Sequence, residues 1–505
     1  MRPLLQRYGL ELALCAACCC ATLLLDGGRA RTELLWGDEI VSVYAIQQSP
    51  GGLVEHRYWQ GHSPLYFLLL KLWIFVSSGM DGLARPSEFL LRLPSLICMG
   101  LAGGLLAAAA WRAWGIAAGI VLLVLWLGNN LVERYAVEAR PYALLLFFLA
   151  AAVWSSIRLW LAAENDRSTV IGVIAVCSRI LAAATIPVGV IAVLAMEACS
   201  FHIRGASSYN RFWRHRSLVV LAATITILAI YMPAIASKSA NYWVESFAPL
   251  SWQSLGRVAQ SIFMDRTGAG DLQSMGVPAG LVMAAVAVYG LIINRHEFPV
   301  RLAAGLAIAL PASLVLMSVF NSLMLSRYFI AAVPGVLLLA ASAVSRTSGR
   351  RNKVAARVAA LALACSAVWM LVEDRNQVKR QDTYPSHLDL ITSLQPEEIT
   401  GNANSWGIWM VLGYYLPVRT GQPVNVQLRR EPLALTDLPE GNKLHWFFST
   451  RGAEAERDMV GDLPVLCRYA LPGGNILVLG RSRAALPASM QDCPPYDGLK
   501  NLPRS

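Results

Sequence analysis

Long apolar segments recur along this chain up to about residue 372, and they restrict the folds that are open to it. Each approaches the roughly 20 apolar residues that a helix needs to cross a bilayer. The composition agrees, because 56% of the residues are hydrophobic and 15% are charged, against about 25% charged in a soluble domain. The sequence predicts a polytopic, mainly α bundle of about eleven spans. The predicted spans are Leu10–Leu25, Phe89–Ala110, Gly115–Leu131, Tyr142–Ile157, Thr169–Leu181, Ile186–Ser200, Leu218–Ala236, Val277–Ile293, Ala303–Phe320, Phe329–Ala343 and Ala356–Val372.

The basic loops predict the orientation of the bundle. One loop carries four arginines between residues 204 and 216, another carries five basic residues between 346 and 357, and Arg2 and Arg7 precede the first span. With an odd number of spans all three groups fall on one side, and the positive-inside rule makes that side cytoplasmic. We therefore expect a cytoplasmic N-terminus and an extracytoplasmic C-terminus in an inner membrane. These loops account for the net charge of +11, which does not require a nucleic acid.

The first apolar segment has a second interpretation. Arg2 and Arg7 could form the basic region of a cleaved signal peptide. No small-x-small cleavage site follows, however, and Asp26-Gly-Gly is typical of a loop, so we expect a retained span. Either interpretation leaves the next loop on the outer side.

The composition divides the chain into three parts. Residues 26–87 form a long first outer loop, and the run Pro64–Trp73, with Lys71 and His62 at its edges, favours a helix lying in the membrane interface. The spans continue to residue 372, which gives a membrane domain of residues 1–372. Residues 373–505 are predicted to form a small extracytoplasmic α/β domain.

Short runs in residues 373–505 set out the elements of that predicted domain. Strand-like runs cover Lys443–Ser449, Val465–Tyr469 and Ile476–Leu479, and Pro472-Gly-Gly-Asn475 predicts a tight turn. Helical runs cover Trp406–Tyr415 and Ala453–Val460. The sequence leaves open whether Cys467 and Cys493 form a disulfide, and whether the tail aromatics bind a glycan or form an ordinary core.

Two adjacent carboxylates follow the first span in Trp36-Gly-Asp-Glu39. Acidic residues there do not help to anchor or orient a helix, so membrane insertion explains Asp38 and Glu39 poorly. An exposed acidic pair in a loop is the simpler interpretation. Chemistry at the outer membrane face is the other.

Polar clusters at the predicted outward ends of other spans favour chemistry. Arg134, Arg140 and Arg327 lie there, although positive-inside sorting disfavours arginine in short outer loops. Snorkelling to lipid headgroups, or pairing with Glu133 or Glu138, is one explanation. A phosphate at headgroup level is another, because guanidinium groups bind phosphate oxygens bidentately.

These residue types together predict a reaction. An outward carboxylate suits a general base acting on an acceptor hydroxyl. Outward arginines suit a lipid-linked phosphate leaving group, whose growing negative charge they would stabilise. The prediction is transfer of a sugar from a polyprenyl-phosphate donor to an acceptor.

Several motifs carry a resemblance to a known class. The chain resembles the GT-C integral membrane glycosyltransferases, which include the protein O-mannosyltransferases and the lipid A aminoarabinose transferase. The resemblance covers roughly residues 30–345, and Ser63 stands where the family's His-Pro-Pro-Leu-Tyr motif has its first proline. The segments that carry it are Trp36-Gly-Asp-Glu39, His62-Ser-Pro-Leu-Tyr66, Ser87-Glu-Phe-Leu-Leu-Arg-Leu-Pro-Ser95, Glu138-Ala-Arg-Pro-Tyr142 and Ser326-Arg-Tyr-Phe-Ile-Ala-Ala-Val-Pro334.

This resemblance implies an inverting transferase and assigns roles to residues of this chain. Asp38 would be the base or would orient the acceptor, with Glu39 supporting it. His62, Arg140 and Arg327 would bind the donor phosphate. Weaker candidates for the phosphate site are Lys71 and Arg134, and the predicted substrate pocket contains Tyr66, Glu138, Tyr142 and Tyr328.

The expected partners are a polyprenyl-phosphate sugar, an acceptor that is a lipid, glycan or protein, and the bilayer. Some GT-C enzymes use a divalent metal. Only Asp265 and Asp271 form a second outward acidic group, so we predict neither a metal nor another cofactor.

Three other functions share some of these features. A flippase for a lipid-linked sugar would also bind phosphate, but it should show repeated halves and ionisable groups near mid-membrane. An oligosaccharide ligase would share the whole site. A receptor or scaffold would leave the Asp-Glu pair unexplained.

Overall fold

The computed structural model describes residues 2–162, 169–200, 207–236, 250–263, 276–319 and 323–344, and shorter stretches within 354–368, 388–392 and 398–479. The chain divides into two compact units. The helical unit comprises residues 1–31 and 45–377, and the tail unit comprises residues 32–44 and 378–505.

Helices make up the described part of the helical unit. Helix α2 begins in the tail unit, at Gly37, and ends in the helical unit, at Gln47. A π-turn at Gly305–Ala309 and a 3₁₀ turn at Ile330–Ala332 connect the last four helices in pairs. The remaining helices are α1 (Arg2–Thr32), α3 (Pro50–Trp59), α4 (Leu65–Ala84), α5 (Glu88–Trp114), α6 (Ile116–Leu127), α7 (Asn130–Ala136), α8 (Tyr142–Leu161), α9 (Thr169–Thr185), α10 (Pro187–Ser200), α11 (Ser207–Ile235), α12 (Trp252–Phe263), α13 (Gly276–Asn294), α14 (Phe298–Ala304), α15 (Leu310–Met317), α16 (Ser326–Phe329) and α17 (Val333–Ser342).

The predicted membrane bundle is confirmed, but the count of eleven spans is not. Among the described residues, six helices are long and apolar enough to cross a membrane, and the α6–α7 pair, bent by 61°, would make a seventh. The chain is a multi-pass membrane protein. Four further apolar helices are shorter; Thr169–Thr185, with 17 residues, is about 25 Å long, less than the roughly 30 Å hydrocarbon core. The predicted span Ala356–Val372 lies largely outside the described residues.

Helix α4 differs from the interfacial segment that the sequence predicts for Pro64–Trp73. It continues to Ala84 and is among the six candidate spans. Gly79 interrupts it with φ +70° and ψ −163°, so the straight part from Leu65 covers only the first 14 of its 20 residues. The location of α4 in the interface stays a prediction.

Polar contacts show which helix ends of the helical unit meet. At one end, Glu11 of α1 pairs with Arg112 of α5 (2.7 Å) and Arg158 of α8 (3.1 Å). At the opposite end of these helices, Arg29 pairs with Glu133. We call this opposite end of the helices the His62 end, because Ser63, the residue after His62, contacts the last turn of α9 there.

Helices α1 and α5 approach closely along small residues. A Cβ atom at Gly104 would lie 2.4 Å from the Cα of Cys15, and one at Gly100 would lie 2.6 Å from the Cα of Cys19. Small residues four apart allow helix backbones to touch inside a membrane. Cys15 and Cys19 therefore serve close packing, and α1 is packed directly against α5.

Gly104→Ala is expected to destabilise the protein by about 1–3 kcal/mol, since the added methyl group meets backbone rather than a movable side chain. Gly27→Ala is the matched control on α1, where a Cβ would meet nothing within 4 Å, and alanine should there be neutral or slightly stabilising. Thermal unfolding in detergent compares the two. Equal melting temperatures would contradict the close packing.

The tail unit contains a six-stranded mixed sheet of order β2-β1-β3-β6-β5-β4. Strand β1 pairs in parallel with β2 and β3, while β6 pairs antiparallel with β3 and β5. Helix α18 (Trp406–Thr420) connects β1 to β2, as a parallel pair requires. The strands are β1 (Glu398–Asn402), β2 (Asn425–Arg429), β3 (His445–Ser449), β4 (Met459–Val460), β5 (Leu463–Leu471) and β6 (Gly474–Leu479).

The three strand-like runs of the sequence coincide with β3, β5 and β6. The predicted turn lies between β5 and β6, which are antiparallel and whose pairing ends at Leu471 and Gly474. The helical prediction at Ala453–Val460 is wrong at its end, where Met459 and Val460 pair with β5; residues 453–458 lie outside the described part. Cys493 also lies outside it. The extracytoplasmic location of this unit stays a prediction.

Candidate active site

The turn between α3 and α4 fixes His62. Gly61 adopts φ +71°, a left-handed conformation that glycine favours. The backbone N–H of His62 donates to the carbonyl of Arg57 (2.9 Å), and that of Gly61 donates to Tyr58 (2.9 Å). This pair of bonds is the Schellman motif, which ends a helix sharply. Gly61 therefore places His62 next to the last turn of α3, and the side chain of His62 is half-buried.

Ser63 gives the turn a second attachment. Its hydroxyl donates to the carbonyl of Ala184, at the end of α9. A proline here could not make this bond, so the departure from the family motif adds a contact. Tyr66, the second residue of α4, is buried with its ring edge-on to Phe67, at 5.4 Å between centroids.

The segment between α7 and α8 carries the next group of predicted residues. The side chain of Asn129 caps α7 by accepting the N–H of Val132 (3.2 Å). Arg134 pairs with Glu138 at 3.4 Å, as the alternative to phosphate binding predicts. Arg140 is 5% exposed. Tyr142 packs on Tyr135, with ring centroids 4.7 Å apart.

Arg327 comes from a third part of the chain. It lies in the single turn of α16, half-buried, with its guanidinium 5.6 Å from the centroid of the half-buried Tyr328 ring. Its charge acts on both His62 and Tyr135. The structure therefore brings Arg327 to the His62 end, although more than 180 residues separate it from Arg140.

The charges of three arginines act on His62. Burial lowers the pKa of His62 well below its usual range, and the charges of Arg140, Arg57 and Arg327 lower it further. The imidazole is therefore neutral at physiological pH, so it can offer a hydrogen bond but no charge. We call these four residues the cation cluster; three of them, His62, Arg140 and Arg327, were predicted to act together.

Arg57 is the member of this cluster that the sequence analysis missed. It is completely buried, and its guanidinium lies 4.6 Å from the centroid of the Phe67 ring. The available signal was Glu55-His-Arg57, three polar residues just before Gly61-His62. An interfacial helix explains such residues equally well, so composition alone does not separate Arg57 from a solvated arginine.

Lys71 has a different place from the one predicted. Its ammonium group donates to the carbonyls of Ile46 (2.6 Å) and Gln48 (2.8 Å). It therefore caps the C-terminal end of α2. These contacts favour a structural role for Lys71 over phosphate binding.

Asp38 and Glu39 lie in the first turn of α2, in the tail unit. Trp36 is the N-cap residue, since its carbonyl accepts the N–H groups of Glu39 (2.9 Å) and Ile40 (3.0 Å). The carboxylate of the buried Glu39 accepts the backbone N–H of Trp36 (3.3 Å). This reciprocal contact is half of a capping box. Glu39 thus orders the turn, and the neighbouring Asp38 is half-buried.

The predicted second acidic group, Asp265 and Asp271, lies outside the described residues. Within the described part, no three histidine, cysteine or acidic side chains come together as a metal site would require.

Comparison with solved structures identifies the fold. The crystal structure of ArnT from Cupriavidus metallidurans bound to undecaprenyl phosphate aligns with a TM-score of 0.54 and 12% identity, covering 95% of this chain and 99% of that chain. The apo structure of the same protein gives a TM-score of 0.57 and 12% identity, over 95% and 100% of the two chains. The chain has the ArnT fold. No protein-family model and no curated protein matches the sequence.

The likeness covers almost the whole of both chains, so the fold includes both the helical unit and the tail unit. It confirms the predicted resemblance to GT-C enzymes at the level of the fold. At 12% identity it does not assign an activity, for which this chain's own residues must provide the argument.

Proposed function

We propose that this protein is a glycosyltransferase that transfers a sugar from a polyprenyl-phosphate donor to an acceptor, with inversion, at the outer face of the cytoplasmic membrane. The cation cluster is the observation that supports this most strongly. Arg57, Arg140 and Arg327 come from three separate segments and act on one half-buried histidine. Three guanidinium groups that act on one position suit a multiply charged anion, because each can donate charge-assisted hydrogen bonds to its oxygens.

A phosphate ester matches this cluster. Guanidinium groups hold phosphate oxygens by paired, charge-assisted hydrogen bonds, and the neutral His62 adds one more bond. As the sugar leaves, the phosphate gains negative charge, so the arginines bind the departing group more strongly than the intact donor. That difference lowers the barrier to transfer. ArnT, which shares this fold, has been crystallised with undecaprenyl phosphate.

Asp38 is proposed as the base that accepts the proton of the acceptor hydroxyl, or as the group that orients it. Its place in the first turn of α2 is favourable for a carboxylate, since the helix N-terminus carries partial positive charge. Tyr66, Tyr142 and Tyr328, whose rings lie on the segments that carry the cluster, are proposed to form the donor pocket. The acceptor is a lipid, a glycan or a protein.

The proposal is tested by mass spectrometry of lipids and surface glycans from cells that lack the protein, complemented with wild type or with Asp38→Asn. Accumulation of a polyprenyl-phosphate monosaccharide, with loss of one glycan modification, is expected in the deletion and in the variant. The same spectrum identifies the sugar. A wild-type profile in the deletion would contradict the proposal, and accumulation of the donor on the cytoplasmic side only would favour a flippase.

Arg140→Gln is expected to raise the KM for the donor about 10- to 100-fold, because it removes charge-assisted hydrogen bonds to phosphate. Arg295→Gln is the matched control. It makes the same change at an exposed arginine close to the end of the helices that lies opposite the His62 end. Steady-state kinetics with purified protein separate KM from kcat. If both the donor KM and kcat were unchanged in Arg140→Gln, Arg140 would be removed from the phosphate site.

A further inference from the structure

Residues 32–44 belong to the tail unit, although the residues on both sides of them belong to the helical unit. This segment contains Asp38. Its grouping with residues 378–505 links the proposed base to a part of the chain that follows it by more than 330 positions.

One hydrogen bond connects the two parts of the tail unit at the start of α2. The backbone N–H of Leu35 donates to the hydroxyl of Tyr415 at 2.8 Å. Both residues are buried, with Leu35 completely covered and Tyr415 8% exposed. The next amide, that of Trp36, is held by Glu39. The backbone N–H groups of Leu35 and Trp36, the two residues that precede α2, are thus both bound by side chains. These two hydrogen bonds fix the position and rotation of the first turn of α2.

Tyr415 is mounted on a well-packed element. Helix α18 lies between β1 and β2 in the chain and contacts both strands. Val411, Leu412 and Leu416, around Tyr415 on this helix, are each at most 1% exposed. The hydroxyl group therefore extends from a helix anchored on the sheet, and its position depends on the tail unit.

We propose that Tyr415 is a positioning residue that holds the first turn of α2 so that Asp38 meets the acceptor hydroxyl in the correct geometry. This inference rests on the proposed function of Asp38. It gives the tail unit a part in catalysis that does not require it to bind substrate. General-base catalysis is sensitive to such placement, because a displacement of about 1 Å can reduce turnover about 100-fold.

The test is Tyr415→Phe in the full-length protein, which deletes one oxygen atom and keeps the ring. We expect kcat to fall about 10- to 100-fold with the donor KM unchanged, because the cation cluster is untouched. Hydrogen exchange of the peptide covering residues 33–44 should become faster, since the Leu35 amide loses its acceptor. Tyr414→Phe removes the neighbouring hydroxyl on the same helix and should keep wild-type kcat.

Two results would overturn the inference: wild-type kcat in Tyr415→Phe, or an equal loss in Tyr414→Phe. A failure of the proposed function has a different signature. In that case Asp38→Asn itself would turn over at the wild-type rate, whereas failure of this inference leaves Asp38→Asn inactive and Tyr415→Phe active.

Discussion

Asp38→Asn is expected to reduce sugar transfer about 10²- to 10⁴-fold, the range over which a positioned general base contributes to turnover. Asparagine has nearly the same shape as aspartate but cannot accept a proton from the acceptor hydroxyl. The loss should appear in kcat, with the donor KM little changed, since the proposed phosphate contacts come from other residues. Initial rates with purified, detergent-solubilised protein measure both parameters.

Two variants separate this effect from a change in folding. Asp81→Asn makes the same substitution at an exposed position of α4 and should keep wild-type turnover. Glu39→Gln removes the charge that accepts the Trp36 amide but leaves an oxygen able to accept it, so we expect a much smaller loss than for Asp38→Asn. Should Glu39→Gln prove as inactive as Asp38→Asn, the two carboxylates act together, and the assignment of Glu39 to the helix cap is wrong.

Arg140 and Arg327 could be singled out from the sequence because they break a rule of membrane topology. Arginine is disfavoured in short outer loops, so the positions of Arg140 and Arg327 along the chain are enough to require an explanation. Their meeting around His62 follows from the alternation of helices between two membrane faces. An error in the number of spans does not affect this prediction, provided that the segments carrying His62, Arg140 and Arg327 still lie at the same membrane face.

The details that the sequence could not provide depend on distances across the fold. Nothing in the local sequence distinguishes Glu39, which caps the helix, from the half-buried Asp38, since the two are adjacent acids. Arg57 looks like any polar residue of an interfacial helix until its burial is known. The bond from Leu35 to Tyr415 spans 380 positions, and no pattern of hydrophobicity reports such a pairing. The count of eleven spans is not confirmed for a related reason: apolar runs do not show where a helix ends.

Arg179 illustrates the same point inside the helical unit, where an arginine interrupts an apolar segment. Its guanidinium donates to Glu197 of α10 (2.7 Å), to Ser156 of α8 (2.7 Å) and to the carbonyl of Ala175 (2.9 Å). The second carboxylate oxygen of Glu197 accepts the hydroxyl of Ser217 on α11 (2.7 Å). Arg179 and Glu197 are at most 1% exposed, so this network joins four helices without contact with solvent.

Removing either member of this ion pair is expected to destabilise the protein strongly. Arg179→Met or Glu197→Met would leave one charge buried without its counterion, at a cost of about 3–5 kcal/mol. Changing both residues, Arg179→Met with Glu197→Met, should cost less than the sum of the single changes, because no isolated charge remains. Arg295→Met, at an exposed position, is the control and should stay within about 0.5 kcal/mol of wild type.

Equilibrium unfolding in mixed micelles of the wild type, the two single variants and the double variant gives the coupling free energy directly. A favourable coupling of several kcal/mol means that the ion pair fastens α9 to α10. Additive single effects would mean that Arg179 and Glu197 are stabilised separately by their serine and backbone partners. In that case apolar packing holds the four helices together, and the ion pair neutralises two buried charges without adding to the stability of the bundle.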